Sequence, residues 1–102
     1  MRPCASGPEA TEETRVRMTA FVHGQVQGVG FRWWTRSRAL ELGLAGSATN
    51  MTGGRVQVVA EGSRAACARL LTLLRGDDPP GTVALVVETY GAVRGERGFV
   101  ER

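Results

Sequence analysis

The chain lacks lysine altogether, and the 13 basic residues that it contains are all arginines. The absence of lysine excludes a Walker-type phosphate loop, which requires that residue. With one histidine and two cysteines, the sequence shows no cluster of side chains with the spacing of a zinc site. Aromatic residues amount to only 6%, and no apolar run approaches the ~18–20 residues that cross a bilayer. We therefore expect no metal site and no membrane partner.

The N-terminal residues are equally poor in apolar side chains. They contain Pro3, Gly7 and Pro8 together with three glutamates, a composition typical of disorder. They also lack the apolar core of a secretory signal, so we expect a cytoplasmic protein. Because 102 residues give room for a single domain, we predict a disordered tail over residues 1–14 and one domain over residues 15–102.

What the sequence does contain is a regular succession of strand and helix periodicities. Strands are predicted at residues 15–23, 44–50, 55–61 and 82–90, with a short fifth one at 98–102, and helices at 31–43 and 64–75. Ser63 is the expected N-cap of the second helix. The order β-α-β-β-α-β predicts an α+β, ferredoxin-like (split βαβ) fold, in which an antiparallel sheet carries both helices on one face. Since this fold supports many unrelated activities, function must be argued from a site.

The segment HGQVQGVGFR, residues 23–32, joins the first strand to the first helix and has features that favour an anion. Its glycines, Gly24, Gly28 and Gly30, let the backbone approach a ligand closely. Successive backbone N–H groups in such a loop can converge into an anion-binding concavity. The helix that begins at about Phe31 adds its free N–H groups and the positive end of its dipole. The pattern predicts a phosphate site, and the glycine spacing does not fit the GxGxxG of dinucleotide-binding folds.

Arg32 lies in the first turn of that helix, about 100° around the axis from Phe31. If Phe31 points into the core, the guanidinium lies at the mouth of the loop and can donate two hydrogen bonds to phosphate oxygens. A cation near a helix N-terminus is unfavourable by a few tenths of a kcal/mol, and a bound dianion would remove that conflict. From the residues alone, the alternative is a tight turn followed by a solvated arginine.

The run GQVQGVGFR closely resembles the signature of the acylphosphatases, and Gly43-Leu44 followed by Gly46 and Asn50 resembles the second motif of that family. The resemblance covers about residues 15–101. It implies a hydrolase that cleaves the carboxyl-phosphate anhydride bond of small-molecule acyl phosphates to carboxylate and inorganic phosphate. It also implies that neither a metal nor another cofactor is used.

The resemblance further implies the roles of individual residues. The arginine that matches Arg32 binds the phosphoryl group, and the asparagine that matches Asn50 orients the attacking water. The residues implied in phosphate binding are Gly24, Gln25, Val26, Gln27, Gly28, Val29 and Gly30, together with Arg32.

The chain departs from the family pattern in three places, one of which is Gln57 at a commonly acidic position of the third strand. Ser47, Ala48 and Thr49 stand where the family usually has an aromatic, an aliphatic and a polar or basic residue, and Gly53-Gly54 replaces the usual Asp-Gly turn. These departures bear on the rigidity of the second strand and leave the two implied catalytic residues in place.

Two alternatives to an enzyme of this kind remain at the level of sequence. One is a non-catalytic ferredoxin-like module that binds RNA or another anion, since such sheets often bind RNA; Phe21 and Tyr90 are its candidate aromatics, but no RNP-like motif is present. The other is a domain like the acylphosphatase-like one of hydrogenase-maturation carbamoyltransferases, against which the chain length argues. His23, the only histidine, is expected to make a strand-end hydrogen bond rather than to act as base or nucleophile. We expect a monomer without nucleic-acid partners.

Overall fold

The computed structural model describes residues 14–102, so the predicted disorder falls, apart from Thr14, outside the described part of the chain. The carbonyl oxygen of Thr14 accepts a hydrogen bond from the Arg64 N–H at 3.2 Å, which attaches this residue to the domain. The elements that follow are β1 (Arg15–Gln25), α1 (Phe31–Glu41), β2 (Ala45–Asn50), β3 (Val56–Ser63), α2 (Arg64–Leu74), β4 (Thr82–Gly91) and β5 (Phe99–Glu101). The predicted order of elements is confirmed.

The strands form one sheet in the order β4-β1-β3-β2-β5. The first four strands pair antiparallel, as predicted, whereas β5 pairs in parallel with β2. The sheet is therefore mixed. Residues 92–98 lead from β4 at one edge of the sheet to β5 at the other edge, and β5 runs in the same direction as its neighbour β2. Because β1, β2 and β5 run in the same direction, their C-terminal ends lie at the same end of the sheet, where α1 begins.

The core lies between the two helices and one face of the sheet. Alternate residues of β1 enter it, as the period of a half-buried strand predicts; these are Val16, Met18, Ala20 and Val22. The helices contribute Phe31, Trp34, Thr35 and Ala39 from α1, and Cys67, Leu70, Leu71 and Leu74 from α2. Each fully buried large side chain contributes about 1.5–3 kcal/mol of transfer free energy. The Ser63 hydroxyl accepts a hydrogen bond from the Ala66 N–H at 3.1 Å, which confirms the predicted N-cap.

The opposite face of the sheet carries a buried ion pair that the sequence analysis did not anticipate. Glu61 is only 2% exposed, and Arg17 donates a hydrogen bond to its carboxylate at 2.8 Å. The same carboxylate accepts hydrogen bonds from the backbone N–H groups of Arg94 at 2.7 Å, Gly95 at 3.1 Å and Glu96 at 3.0 Å. Glu61 thus fixes the segment that connects β4 to β5.

The hydrogen bonds of Glu61 decide its ionisation. Burial by itself would raise the pKa of this carboxyl. The bonds from the Glu96 N–H, the Arg17 guanidinium and the N–H groups of Arg94 and Gly95 outweigh burial and lower the pKa to about 2. Glu61 is therefore ionised at neutral pH.

Candidate active site

The loop after β1 is shorter than predicted, because the strand extends through Gln25. Gly24 pairs with Val83 and Gln25 with Thr82, after an irregularity in the register between His23 and Gly24. Gly24 has φ 139°, and a Cβ atom at this position would collide with the Thr82 carbonyl oxygen. The glycine therefore permits the bulge in the β1–β4 pairing. The free loop comprises residues 26–30.

The loop is held in a shape that leaves the start of α1 open. Val26 is 1% exposed and anchors the loop in the core. Gly28 and Gly30 have positive φ angles of 76° and 85°, which glycine adopts without strain. Gly30 is the N-cap of α1. It provides no side-chain hydrogen bond, and the first turn of α1 contains no acidic residue. The first N–H groups of α1 are therefore available to an anion.

A hollow of about 70 Å³ lies at this helix end. This volume is several times the volume that one buried water needs. The hollow is therefore about the size of one phosphoryl group. Its lining residues are Val26, Gly28, Gly30, Phe31, Arg32, Trp33 and Glu101.

Arg32 is half-buried and lines this hollow. Phe31 is 1% exposed and points into the core. Arg32, the next residue of the helix, therefore lies toward the mouth of the loop, as predicted for a buried Phe31. Within residues 14–102, the Arg32 guanidinium has neither a hydrogen bond nor an ion pair, whereas Arg17, Arg38 and Arg75 each bind a carboxylate. A half-buried guanidinium without a partner is favourably placed to bind an anion.

Asn50 is the last residue of β2 and is exposed, at the same edge of the sheet as the loop. It does not belong to the lining of the hollow, and no residue of the described chain forms a hydrogen bond with its side chain. The amide is therefore free to bind a water molecule or a ligand.

Gln27 connects the loop to the turn that follows Asn50. Its side-chain Nε2 donates hydrogen bonds to the carbonyl oxygens of Met51 at 2.8 Å and Arg55 at 3.0 Å. The N–H of Met51 in turn donates to the Arg55 carbonyl at 2.8 Å. The part of Gln27 in phosphate binding stays a prediction, and its side chain connects the loop to the turn after β2. No periodicity signals such a contact, because it joins residues far apart in the sequence.

The other residues of the predicted phosphate set do not belong to the lining of the hollow. Gly24 and Gln25 belong to β1, and Val29 is 44% exposed beside Gly81. His23 pairs with Leu85 within the β1–β4 ladder.

Two residues that line the hollow were not predicted for this site. Trp33 is 60% exposed and stands one residue beyond the run GQVQGVGFR. Glu101 was missed, because its position depends on the parallel pairing of β5 with β2, in which it lies opposite Ala48.

Within residues 14–102, no three His, Cys, Asp or Glu side chains lie close enough together to hold a metal ion. In the same range, no helix has the length and apolar character needed to cross a membrane.

The comparisons with known proteins agree with this geometry. The acylphosphatase family model matches residues 18–100. An acylphosphatase from Saccharopolyspora erythraea is 62% identical over 93 residues, which cover 90% of this chain and 98% of that protein. An acylphosphatase from Coxiella burnetii superposes with a TM-score of 0.81 at 32% identity, covering 90% of this chain and 97% of the other.

The same fold occurs inside a larger protein. Full-length HypF superposes with a TM-score of 0.81 over 87% of this chain but only 12% of its own length, and the 20% identity shows the fold alone. Family membership rests instead on the match over residues 18–100 and on the 62% identity to a relative of nearly the same length. On these findings the chain belongs to the acylphosphatase family.

Proposed function

We propose that the hollow beside Arg32 binds the phosphoryl group of the substrate, and that Asn50 positions the water that attacks it. The chain is an enzyme of the acylphosphatase family, which acts on small-molecule acyl phosphates. The observation that carries the proposal is the unpaired, half-buried guanidinium of Arg32 beside an uncapped helix N-terminus.

The chemistry needs little from the protein beyond charge stabilisation and positioning. A carboxylate is a good leaving group, so no strong general acid is required to expel it. The N–H groups of the loop and of the first turn of α1, together with Arg32, would hold the non-bridging oxygens while charge shifts toward the leaving carboxylate. Because these donors are already oriented, the transition state needs no reorganisation of them.

The attacking water would be held by Asn50, whose side-chain amide offers both a donor and an acceptor. The bonds from Gln27 to Met51 and Arg55 support this role, because they fix the distance between the end of β2 and the loop. In this mechanism, a phosphoryl oxygen accepts the proton of the water. The P–O bond to the water forms as the bond to the carboxylate breaks, which yields a carboxylate and inorganic phosphate.

The test of the proposal is the Arg32→Ala variant, assayed for phosphate release from benzoyl phosphate and from a phosphate monoester. The wild type should hydrolyse only benzoyl phosphate, and the variant should lose about 100- to 1,000-fold in kcat/KM. Inorganic phosphate should also inhibit the variant more weakly. Arg38→Ala, on the same helix but paired with Glu41 at 2.8 Å, is the matched control and should stay near wild type. An Arg32→Ala enzyme with wild-type kcat/KM would contradict the proposal.

The rival RNA-binding function is disfavoured by the surroundings of its candidate aromatics. The Arg55 guanidinium lies over the Phe21 ring at 5.4 Å, and that of Arg64 lies over Tyr90 at 4.4 Å. Tyr90 pairs with the buried Met18 and so lies on the helix side of the sheet, whereas Phe21 lies on the opposite face. The two rings cannot form one stacking platform.

We also propose that the enzyme works as a cytoplasmic monomer without a nucleic-acid or membrane partner. This is supported by the small size of the substrate, which a single domain can bind by itself. Sedimentation equilibrium should give the mass of one chain, and dilution should leave specific activity unchanged. Activity that falls on dilution would contradict a monomer.

A further inference from the structure

We infer that Trp33 and Glu101 select the acyl group of the substrate. Trp33 favours apolar and above all aromatic acyl groups, and Glu101 disfavours acyl groups that carry a negative charge of their own. This inference rests on the proposed binding of the phosphoryl group in the hollow between β1 and α1.

The size of the hollow divides the substrate into two parts. At about 70 Å³ it is on the scale of a phosphoryl group, so a bulky acyl group attached to that phosphoryl group extends out of it. The acyl part must therefore lie outside, against residues that both line the hollow and extend into solvent. Trp33, at 60% exposure, and the exposed Glu101 have this position.

Trp33 offers the acyl group an apolar surface. The neighbouring Trp34 is 8% exposed and packs against Phe31, with ring centroids 6.1 Å apart. Trp33 points about 100° away around the helix and has no such aromatic contact within the described residues. An aromatic acyl group that contacts the indole gains dispersion and ring-pair energy, and a methyl group gains far less.

Glu101 lines the hollow on a strand whose backbone is fixed by hydrogen bonds. The Arg102 N–H donates to the Ala48 carbonyl at 2.7 Å, and Arg36 Nε donates to the Phe99 carbonyl at 2.9 Å. These bonds fix β5 to β2 and to α1. Among residues 14–102, no cation pairs with the Glu101 carboxylate. Its charge therefore acts on whatever lies at the mouth of the hollow.

The repulsion from Glu101 has two components that can be separated by experiment. Its effect on the phosphoryl group is common to all substrates and cancels in a ratio of kcat/KM values. Its effect on a second anionic group of the substrate does not cancel. Such repulsion between exposed charges weakens as salt is added, because the screening length falls to about 8 Å at physiological ionic strength.

The experiment compares kcat/KM for acetyl, benzoyl and succinyl phosphate, the last of which carries an extra carboxylate. Trp33→Ala should lower the benzoyl-to-acetyl ratio about 3- to 10-fold, whereas Trp33→Phe should retain most of the ratio. Glu101→Gln should raise the succinyl-to-acetyl ratio about 3-fold at low ionic strength and less at high salt. Leu40→Ala, at another exposed apolar position of α1 with 45% exposure, is the control and should change neither ratio.

The inhibition constant of inorganic phosphate separates this inference from the proposed function. It should change far less in Trp33→Ala than in Arg32→Ala, because the proposed ligands of the phosphoryl oxygens, backbone N–H groups and the Arg32 guanidinium, are retained in Trp33→Ala. The inference would be overturned if Trp33→Ala lowered kcat/KM equally for benzoyl and acetyl phosphate, or if Glu101→Gln left the succinyl-to-acetyl ratio unchanged. Either result would leave the proposed function intact, provided that Arg32→Ala still loses activity and phosphate inhibition. If the Arg32→Ala enzyme keeps its activity, the proposed function itself fails.

Discussion

At the scale of single residues, Arg32 and Asn50 have different surroundings that match different roles. Arg32 lines the hollow at the helix N-terminus, where electrostatic attraction for an anion is concentrated. Asn50 lies outside the lining, at the end of a strand, with a free amide. The first residue should therefore affect both binding and turnover, and the second mainly turnover.

The Asn50→Ala variant tests this division of roles. Its kcat for benzoyl phosphate should fall about 100-fold, because a misplaced nucleophile reacts more slowly by about that factor. The inhibition constant of inorganic phosphate should stay within about 2-fold, because the donors that bind phosphate are intact. Thr52→Ala, two residues further along the exposed turn, is the control. An equal loss of phosphate affinity and of kcat would make Asn50 a ligand of the phosphoryl group instead.

At the scale of elements, the candidate site depends on how the loop over residues 26–30 is connected to the end of β2 and the β2–β3 turn. Within residues 14–102, the hydrogen bonds between the loop and the β2–β3 turn come only from the side chain of Gln27. Their acceptors are the carbonyl oxygens of Met51 and Arg55. Each such bond contributes about 0.5–1.5 kcal/mol to stability. Their larger effect should be on the alignment of the water with the phosphoryl group.

We expect Gln27→Ala to reduce kcat about 10- to 100-fold, because the loop and Asn50 are no longer held together. The free energy of unfolding should fall by about 1–2 kcal/mol through the loss of two hydrogen bonds, measured by urea denaturation. Gln57→Ala, on β3, removes the same side chain away from the loop and should retain wild-type kcat. If Gln27→Ala lowers stability alone, the bridge has no catalytic consequence.

The elements were largely predictable because their apolar residues follow strict periods. In β1 the buried face is defined by the alternating apolar residues Val16, Met18, Ala20 and Val22. In α2 it is defined by the single apolar stripe of the helix. The extension of β1 through Gly24 was not predictable, because a glycine that permits a bulge looks like any other glycine of a loop. The roles of Gln27 and Glu101 in the site also depended on contacts between distant segments, which periodicity does not encode.

At the scale of the whole molecule, Glu61 is the group that links the stability of the fold to pH. The pKa of its carboxyl is lowered from 4.5 to about 2 in the folded chain. A lowered folded-state pKa means that the stabilisation is complete above about pH 4.5 and is lost as pH falls toward 2.

Urea denaturation should therefore show the wild type losing about 2 kcal/mol more than Glu61→Gln between about pH 5 and about pH 2.5. At about pH 7, Glu61→Gln should be less stable by about 2–4 kcal/mol, because it leaves Arg17 without its buried partner. Glu41→Gln, an exposed residue of a surface pair with Arg38, should show neither effect. Parallel curves for wild type and Glu61→Gln over the acid range would contradict the assignment.

The expectation that no cofactor is required also concerns the molecule as a whole. We expect dialysis against a chelator to leave kcat for benzoyl phosphate unchanged, since the proposed mechanism uses only hydrogen-bond donors and a guanidinium for charge stabilisation. Activity that is lost on chelation and restored by Mg²⁺ would contradict this mechanism.

The position of β1 between β4 and β3 determines when the site can form during folding. This strand pairs Arg15 with Ser63 on one side and Arg17 with Gly91 on the other. Such distant partners meet only after large loops have closed, so the chain should fold more slowly than a helical chain of equal length. The loop over residues 26–30, at the end of that strand, should acquire its shape only when both neighbouring strands have paired. Catalytic activity should therefore be among the last properties to return on refolding.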